Sequence, residues 1–230
     1  MSYIISSLAT DVTAEMSKVR QNPASLIPYL ENHRSQFRGL MYRNNGINMM
    51  TNEGTVAVDE AISYLRSCRP CSALTLSIPM SRAAQDHVDD QGPKGVVGHD
   101  GSDGSTSDGR VQRYGTWLYA FGENISYGPN TGLEIVAQLI VDDGVPDRGH
   151  RTNMFNPDFN VCGVACGSHA KYRNMCVITY AGGFSSSSGT YQDSRSIQIE
   201  TGVQSTGAVD DLNFTPNGFL KTLLRLIGLE

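Results

Sequence analysis

No stretch of the 230-residue sequence approaches the roughly 20 consecutive apolar residues that a membrane-crossing helix needs. Lys and Arg, 18 against 23 Asp and Glu, are nowhere clustered, and the net charge is −5. A phosphate backbone therefore finds no basic surface here, which excludes nucleic acid as the main partner. The start, MSYIISSLATDVTAEMSKVR, carries no basic segment, and its apolar run, Tyr3 to Ile5, is too short for a secretory leader. The expected location is cytoplasmic or cytoskeletal, with secretion the alternative if the chain is a processed form.

Cysteine is scarce and odd in number, five in all, where a secreted domain would normally pair every one. Cys68-Arg69-Pro70-Cys71 has no second CxxC and no nearby histidine to complete a zinc site, and reads as two thiols closing a helix. The runs VCGVAC and MCVITY, joined by GSHAKYRN, form a hairpin signal centred near Lys171. That register sets Cys166 opposite Cys176: a disulfide in an oxidising compartment, buried thiols in a reducing one.

What is present is enough apolar content, 39%, for a core without staples. Helical spacing appears from about Thr13, after Asn22-Pro23 with Leu26, Ile27 and Leu30, over Val58, Ala61, Ile62 and Leu65, from about Ser81, and from Leu133 to Val141. Arg38 to Glu53 lacks periodicity and reads as loop. So does Gly92 to Gly115, rich in Gly, Asp and Ser. Asp100, Asp103 and Asp108 miss the EF-hand spacing and its closing glutamate, so calcium is not expected. His33, His87 and His169 stand apart from any motif, and His87 reads as core or boundary packing. Residues 1–184 are read as one domain, 185–216 as a polar linker, and 217–230 as an amphipathic helix with Phe219, Leu223, Leu226 and Ile227 on one face.

Four short segments carry the chemistry: Gly98-His99-Asp100-Gly101, Gly122-Glu123-Asn124-Ile125, Leu139-Ile140-Val141-Asp142 and Arg148-Gly149-His150-Arg151. Their order, with SYG after GENI and FNPDF-x-x-x-GVA after GHR, resembles the CAP superfamily (cysteine-rich secretory, antigen 5 and pathogenesis-related 1 proteins). The likeness runs from Val12 to Phe184 and is strongest to the cysteine-poor branch. It implies an α+β fold, an α-β-α sandwich with a small antiparallel sheet between helices. It also implies a cavity lined by His99, Glu123, Asp142 and His150, with His99 and His150 able to hold a divalent metal such as zinc. Asp142 stands where the family usually has Glu, and Asp143 would substitute if the register slips by one.

Three functions follow from this reading. The first is a non-catalytic structural or interaction component of an intracellular assembly, engaging other protein chains through residues 185–230. The second is a binder of lipid or a small apolar ligand. The third is a metal-dependent hydrolase, though no GxSxG nucleophile accompanies the cluster.

Overall fold

The structure, a computed structural model, describes residues 4–44 and 47–187. From residue 188 on, the expected linker and terminal helix lie outside the described residues.

Helix α1 (Ser7–Gln21) starts six residues before the expected Thr13, because Ser6 caps it by accepting from Ala9 N. Asn22 closes α1 rather than capping the next helix, and Pro23–Leu26 forms a 3₁₀ turn leading into α2 (Ile27–Ser35). The segment read as loop is instead a small antiparallel sheet, β1 (Phe37–Arg38), β2 (Met41–Asn44) and β3 (Ile47–Met50). The register pairs Asn44 with Ile47, leaving Asn45-Gly46 as the connection. That dipeptide is a strong two-residue hairpin signal, here set among residues without alternation.

Helix α3 (Thr55–Ser67) follows its predicted face, with Val58, Ala61 and Leu65 buried. A two-residue strand β4 (Thr75–Leu76) leads into α4 (Ile78–Gln91), which begins three residues before Ser81 under a Ser77 cap with Pro79 in its first turn. The Gly/Asp/Ser segment contains one short helix, α5 (Ser107–Gln112), capped by Thr106. Then come the long strand β5 (Gly115–Tyr127), α6 (Gly132–Val141), α7 (Gly149–Met154), and the hairpin β6 (Val161–His169) with β7 (Arg173–Ser186). Strand β7 runs two residues past Phe184, pairing Ser185 and Ser186 with Thr116 and Gly115.

The main sheet has the order β4-β6-β7-β5, antiparallel except for the β4–β6 pair, so β5 forms an edge. Helices cover both of its faces. Cys162, Val164, Ile178 and Tyr180 join the core shared with α1, α2, α3 and α6. Ala165, Val177 and Ala181 face α4 on the other side. The fold is thus α+β, a sheet sandwiched between helices. Cys166 and Cys176 are directly opposed in the hairpin and joined by a disulfide, while Cys68, Cys71 and Cys162 are free thiols. Among the described residues, no helix is long and apolar enough to cross a membrane.

Candidate functional site

Two histidine–carboxylate pairs form beside the edge strand β5. In the first, His99 Nδ1–H donates to Glu123 Oε1 at 2.9 Å. The His99 side chain is 53% exposed, whereas that of Glu123 is 2% exposed. The buried Arg110 meets Glu123 from behind, its Nη2 2.9 Å from Oε2, and the same nitrogen donates to His99 O. Glu123 raises the His99 imidazole above its ordinary range through this hydrogen bond, against the opposing effect of burial. Three successive carbonyls of the loop are gripped by buried side chains. His87 Nε2–H donates to Gly98 O (2.8 Å), Arg110 to His99 O, and Gln91 Nε2 to Asp100 O (2.7 Å). Gly98 N in turn donates to Tyr127 Oη.

In the second pair, His150 Nδ1–H donates to Asp142 Oδ1 at 2.6 Å. Asp142 sits in the left-handed region, φ 58°, just past the end of α6. That turn points its carboxylate at the start of α7, where Oδ2 accepts from His150 N (3.0 Å) and Arg151 N (3.2 Å). Asp142 thereby serves as the N-terminal cap that Arg148 does not provide. Asp143 turns the other way, accepting from Asn52 N, Asn52 Nδ2 and Glu53 N. Asp142, and not Asp143, therefore partners His150.

Adjacent residues of the Gly-Glu-Asn motif tie the pairs together. Glu123 holds His99, while Asn124 Nδ2 donates to His150 O (3.0 Å) and to Tyr180 Oη (3.2 Å). Asn153 Nδ2 closes the link through Asn124 Oδ1 and Glu123 O. A Cβ at Gly122 would crowd the Phe159 ring (3.0 Å) and Asn153 Oδ1 (3.1 Å), so a larger residue there would push on the side chain that closes this link. Arg148, bound to Glu53 (2.6 Å) and Glu60 (2.7 Å), also collects the carbonyls of Asp142 and Val145. That guanidinium, with Gly144 N–H, pulls the Glu53 carboxyl down to about 2. The sequence reading missed Arg110 and Asn153, and gave no role to Asn124 and Arg148 although its motifs contain them. The local signals for the first two are an arginine inside a Gly/Asp/Ser segment and a polar residue three past His150.

A cleft of about 320 Å³ opens between α2, the β2–β3 hairpin, α6 and the end of β5. Its walls include Leu30, Phe37, Met49, Val58, Ile125 and Leu139, with His150 and Asp142 also lining it. Tyr127 lines it as well and touches the His99 loop, but His99 and Glu123 are not part of its wall.

With both Nδ1 atoms committed to carboxylates, Nε2 is the nitrogen each ring retains for a ligand. Glu123 is already neutralised by Arg110, and no group of three or more His, Cys, Asp or Glu among the described residues is gathered to hold a metal ion. A zinc site needs at least three such protein ligands. The two imidazoles by themselves fall short of that number.

His33 also lines the cleft, packed against Tyr42 (ring centroids 4.3 Å apart) and Phe37 (5.2 Å). Burial pushes its imidazole down to about 4. Above about pH 6.5 the ring is neutral in both the folded and the unfolded chain. Between about 6.5 and 4 only the unfolded chain takes up the proton, so stability falls as pH drops through that window. The shift corresponds to roughly 3 kcal/mol. Urea unfolding at pH 7 and pH 4 is expected to show His33→Leu losing less stability than wild type by about that amount; equal losses would refute the assignment.

The model of the CAP family, described as the cysteine-rich secretory protein family, matches residues 60–180. The chain belongs to this family. No curated protein matches it significantly. Among solved structures, the CAP chain is similar to an outer surface protein from Borrelia burgdorferi, with 15% identity and a TM-score of 0.41, covering 48% of this chain and 78% of that one. It is also similar to an extracellular protein containing a SCP domain from Bacillus anthracis, with 20% identity and a TM-score of 0.39, covering 55% of this chain and 39% of the other.

Proposed function

We propose that this CAP protein binds a small apolar or amphiphilic ligand in the cleft beside β5, its tail among the apolar walls and its polar end at His150. The cleft itself carries the reading: about 320 Å³ is room for roughly ten waters, and ligand sites typically start near 300 Å³ with mostly apolar walls and few polar groups. Asp142 fixes the His150 tautomer, so the Nε2 left for the ligand accepts when the ring is neutral. The expectation of an assembly component rests on the tail beyond residue 187, outside the described residues. The Cys166–Cys176 disulfide favours an oxidising compartment over the cytoplasm.

The test is titration with dansyl-labelled undecanoic acid. One molecule is expected to bind per chain, and Val145→Trp, which places an indole against the partly exposed cleft wall, is expected to weaken binding at least about tenfold, or ~1.4 kcal/mol. Binding that ignores this change, with the fold intact by circular dichroism, would refute the reading.

A further inference from the structure

The mouth of the cleft is more apolar than a water-facing rim should be. Met50 lines it and is exposed, and exposed Leu40 reaches Gly54, another lining residue, while exposed Val56 stands two residues further on. At the His150 end, Asp142 and Asp143 line the cleft, and behind them Glu53 and Glu60 bind the Arg148 guanidinium, Glu60 also that of Arg151. The cleft thus offers an apolar trough with an acidic end.

One segment of this chain has the complementary chemistry. Residues 217–230, NGFLKTLLRLIGLE, place Phe219, Leu223, Leu226 and Ile227 at helical spacing and carry Lys221 and Arg225. The reach also fits. Ser187 N donates to Tyr114 O beside Gly115, at the start of β5, whereas the cleft lies at Ile125 and Tyr127. Ten to twelve strand residues separate the two, roughly 33–40 Å at about 3.3 Å each. Residues 188–216, rich in Ser, Gly and Thr, make 29 tether residues. A random coil of that length has an r.m.s. span of roughly 30 Å. Tethering at matched span gives an effective concentration on the order of millimolar, which makes even a weak contact well populated.

We propose that residues 217–230 are the cleft's own occupant, laying the Phe219, Leu223 and Ile227 face into the trough with Lys221 and Arg225 toward the acidic end. The segment then competes with the external ligand and sets how much of the protein is open to it. The competition rests on the ligand-binding reading above; the docking does not.

The full-length chain tests both. With p-benzoylphenylalanine in place of Leu223, irradiation of the dilute monomer is expected to give intramolecular adducts at Met49, Met50, Leu40 or Val58, read by peptide mass spectrometry. Adducts confined to other surfaces, adducts only between chains, or none at all would overturn the proposal. In parallel, the full-length double substitution Leu223→Asp with Ile227→Asp is expected to raise affinity for dansyl-labelled undecanoic acid about tenfold. Unchanged affinity would overturn the competition. Cleft adducts with no probe binding in either form would leave the docking standing and sink the ligand reading. Probe binding with adducts elsewhere would do the reverse.

Discussion

Replacing Arg20 by Met is expected to cost about 3–5 kcal/mol of folding stability, more than any substitution at the histidines themselves. Arg20 is fully buried, and its guanidinium is spent on backbone carbonyls. Nε donates to Ser72 O (2.8 Å), Nη1 to Met154 O (2.7 Å) and Asn156 O (3.1 Å), and Nη2 to Phe159 O (2.9 Å). The first of these lies on the strap between α3 and β4, and the others on the segment that leaves α7. Arg20 therefore anchors the far end of the helix whose near end carries His150. Methionine fills much of the volume but takes the guanidinium from four carbonyls, of which Asn156 O keeps Phe159 N (3.3 Å); each buried acceptor left unpaired costs about 1–3 kcal/mol before relaxation. Lysine is expected to rescue little, because one ammonium cannot span four acceptors that the planar fork meets at once. Urea denaturation of Arg20→Met and Arg20→Lys, with unchanged m-values, measures this; a loss below about 1 kcal/mol for Met would show that the carbonyls find other partners.

The sequence made some of this legible and hid the rest for physical reasons. Helix α3 was visible because its burial follows the helical period, and α6 and the β6–β7 hairpin because each is a compact apolar run, buried on nearly every side. Strand β5 was not read as a strand: Trp117 and Ile125 belong to the face toward α4, but the register shifts between Leu118 and Phe121, with Tyr119 at φ 71°. That bulge breaks the alternation a strand is recognised by. The first sheet was hidden by Asn- and Met-rich strands only four residues long. At the site, the motifs named His99, Glu123, Asp142 and His150, because each lies in a short distinctive segment. The groups that hold them come from far away in sequence: Glu53 is 95 residues from Arg148, and Arg20 is 134 from Met154. Arg20 itself looks like an ordinary basic residue in the last turn of a surface helix. No local pattern marks such partners, since only the folded topology brings them together.

The second large effect is expected at Gly163, where α4 crosses the sheet. A Cβ there would lie 2.3 Å from the Met80 carbonyl carbon and 2.5 Å from Met80 O, so the obstacle is the helix backbone. Four residues along the same strand, at Gly167, the obstacle is Val88 Cγ1 at 2.5 Å, the end of a side chain that can rotate aside. The two glycines thus separate close backbone approach from ordinary side-chain packing. Gly163→Val is expected to cost about 3 kcal/mol or more, at the upper end of overpacking penalties, and Gly167→Ala about 1 kcal/mol. The larger change also reaches the site. Moving α4 away from β6 carries His87 and Gln91 with it, and these side chains grip the carbonyls of Gly98 and Asp100 on either side of His99. Amide hydrogen exchange is therefore expected to speed up at residues 98–102 in Gly163→Val while the hairpin around Lys171 stays protected. Equal destabilisation by the two substitutions, or unchanged exchange across the His99 loop, would mean that α4 yields without moving and does not set the position of that histidine.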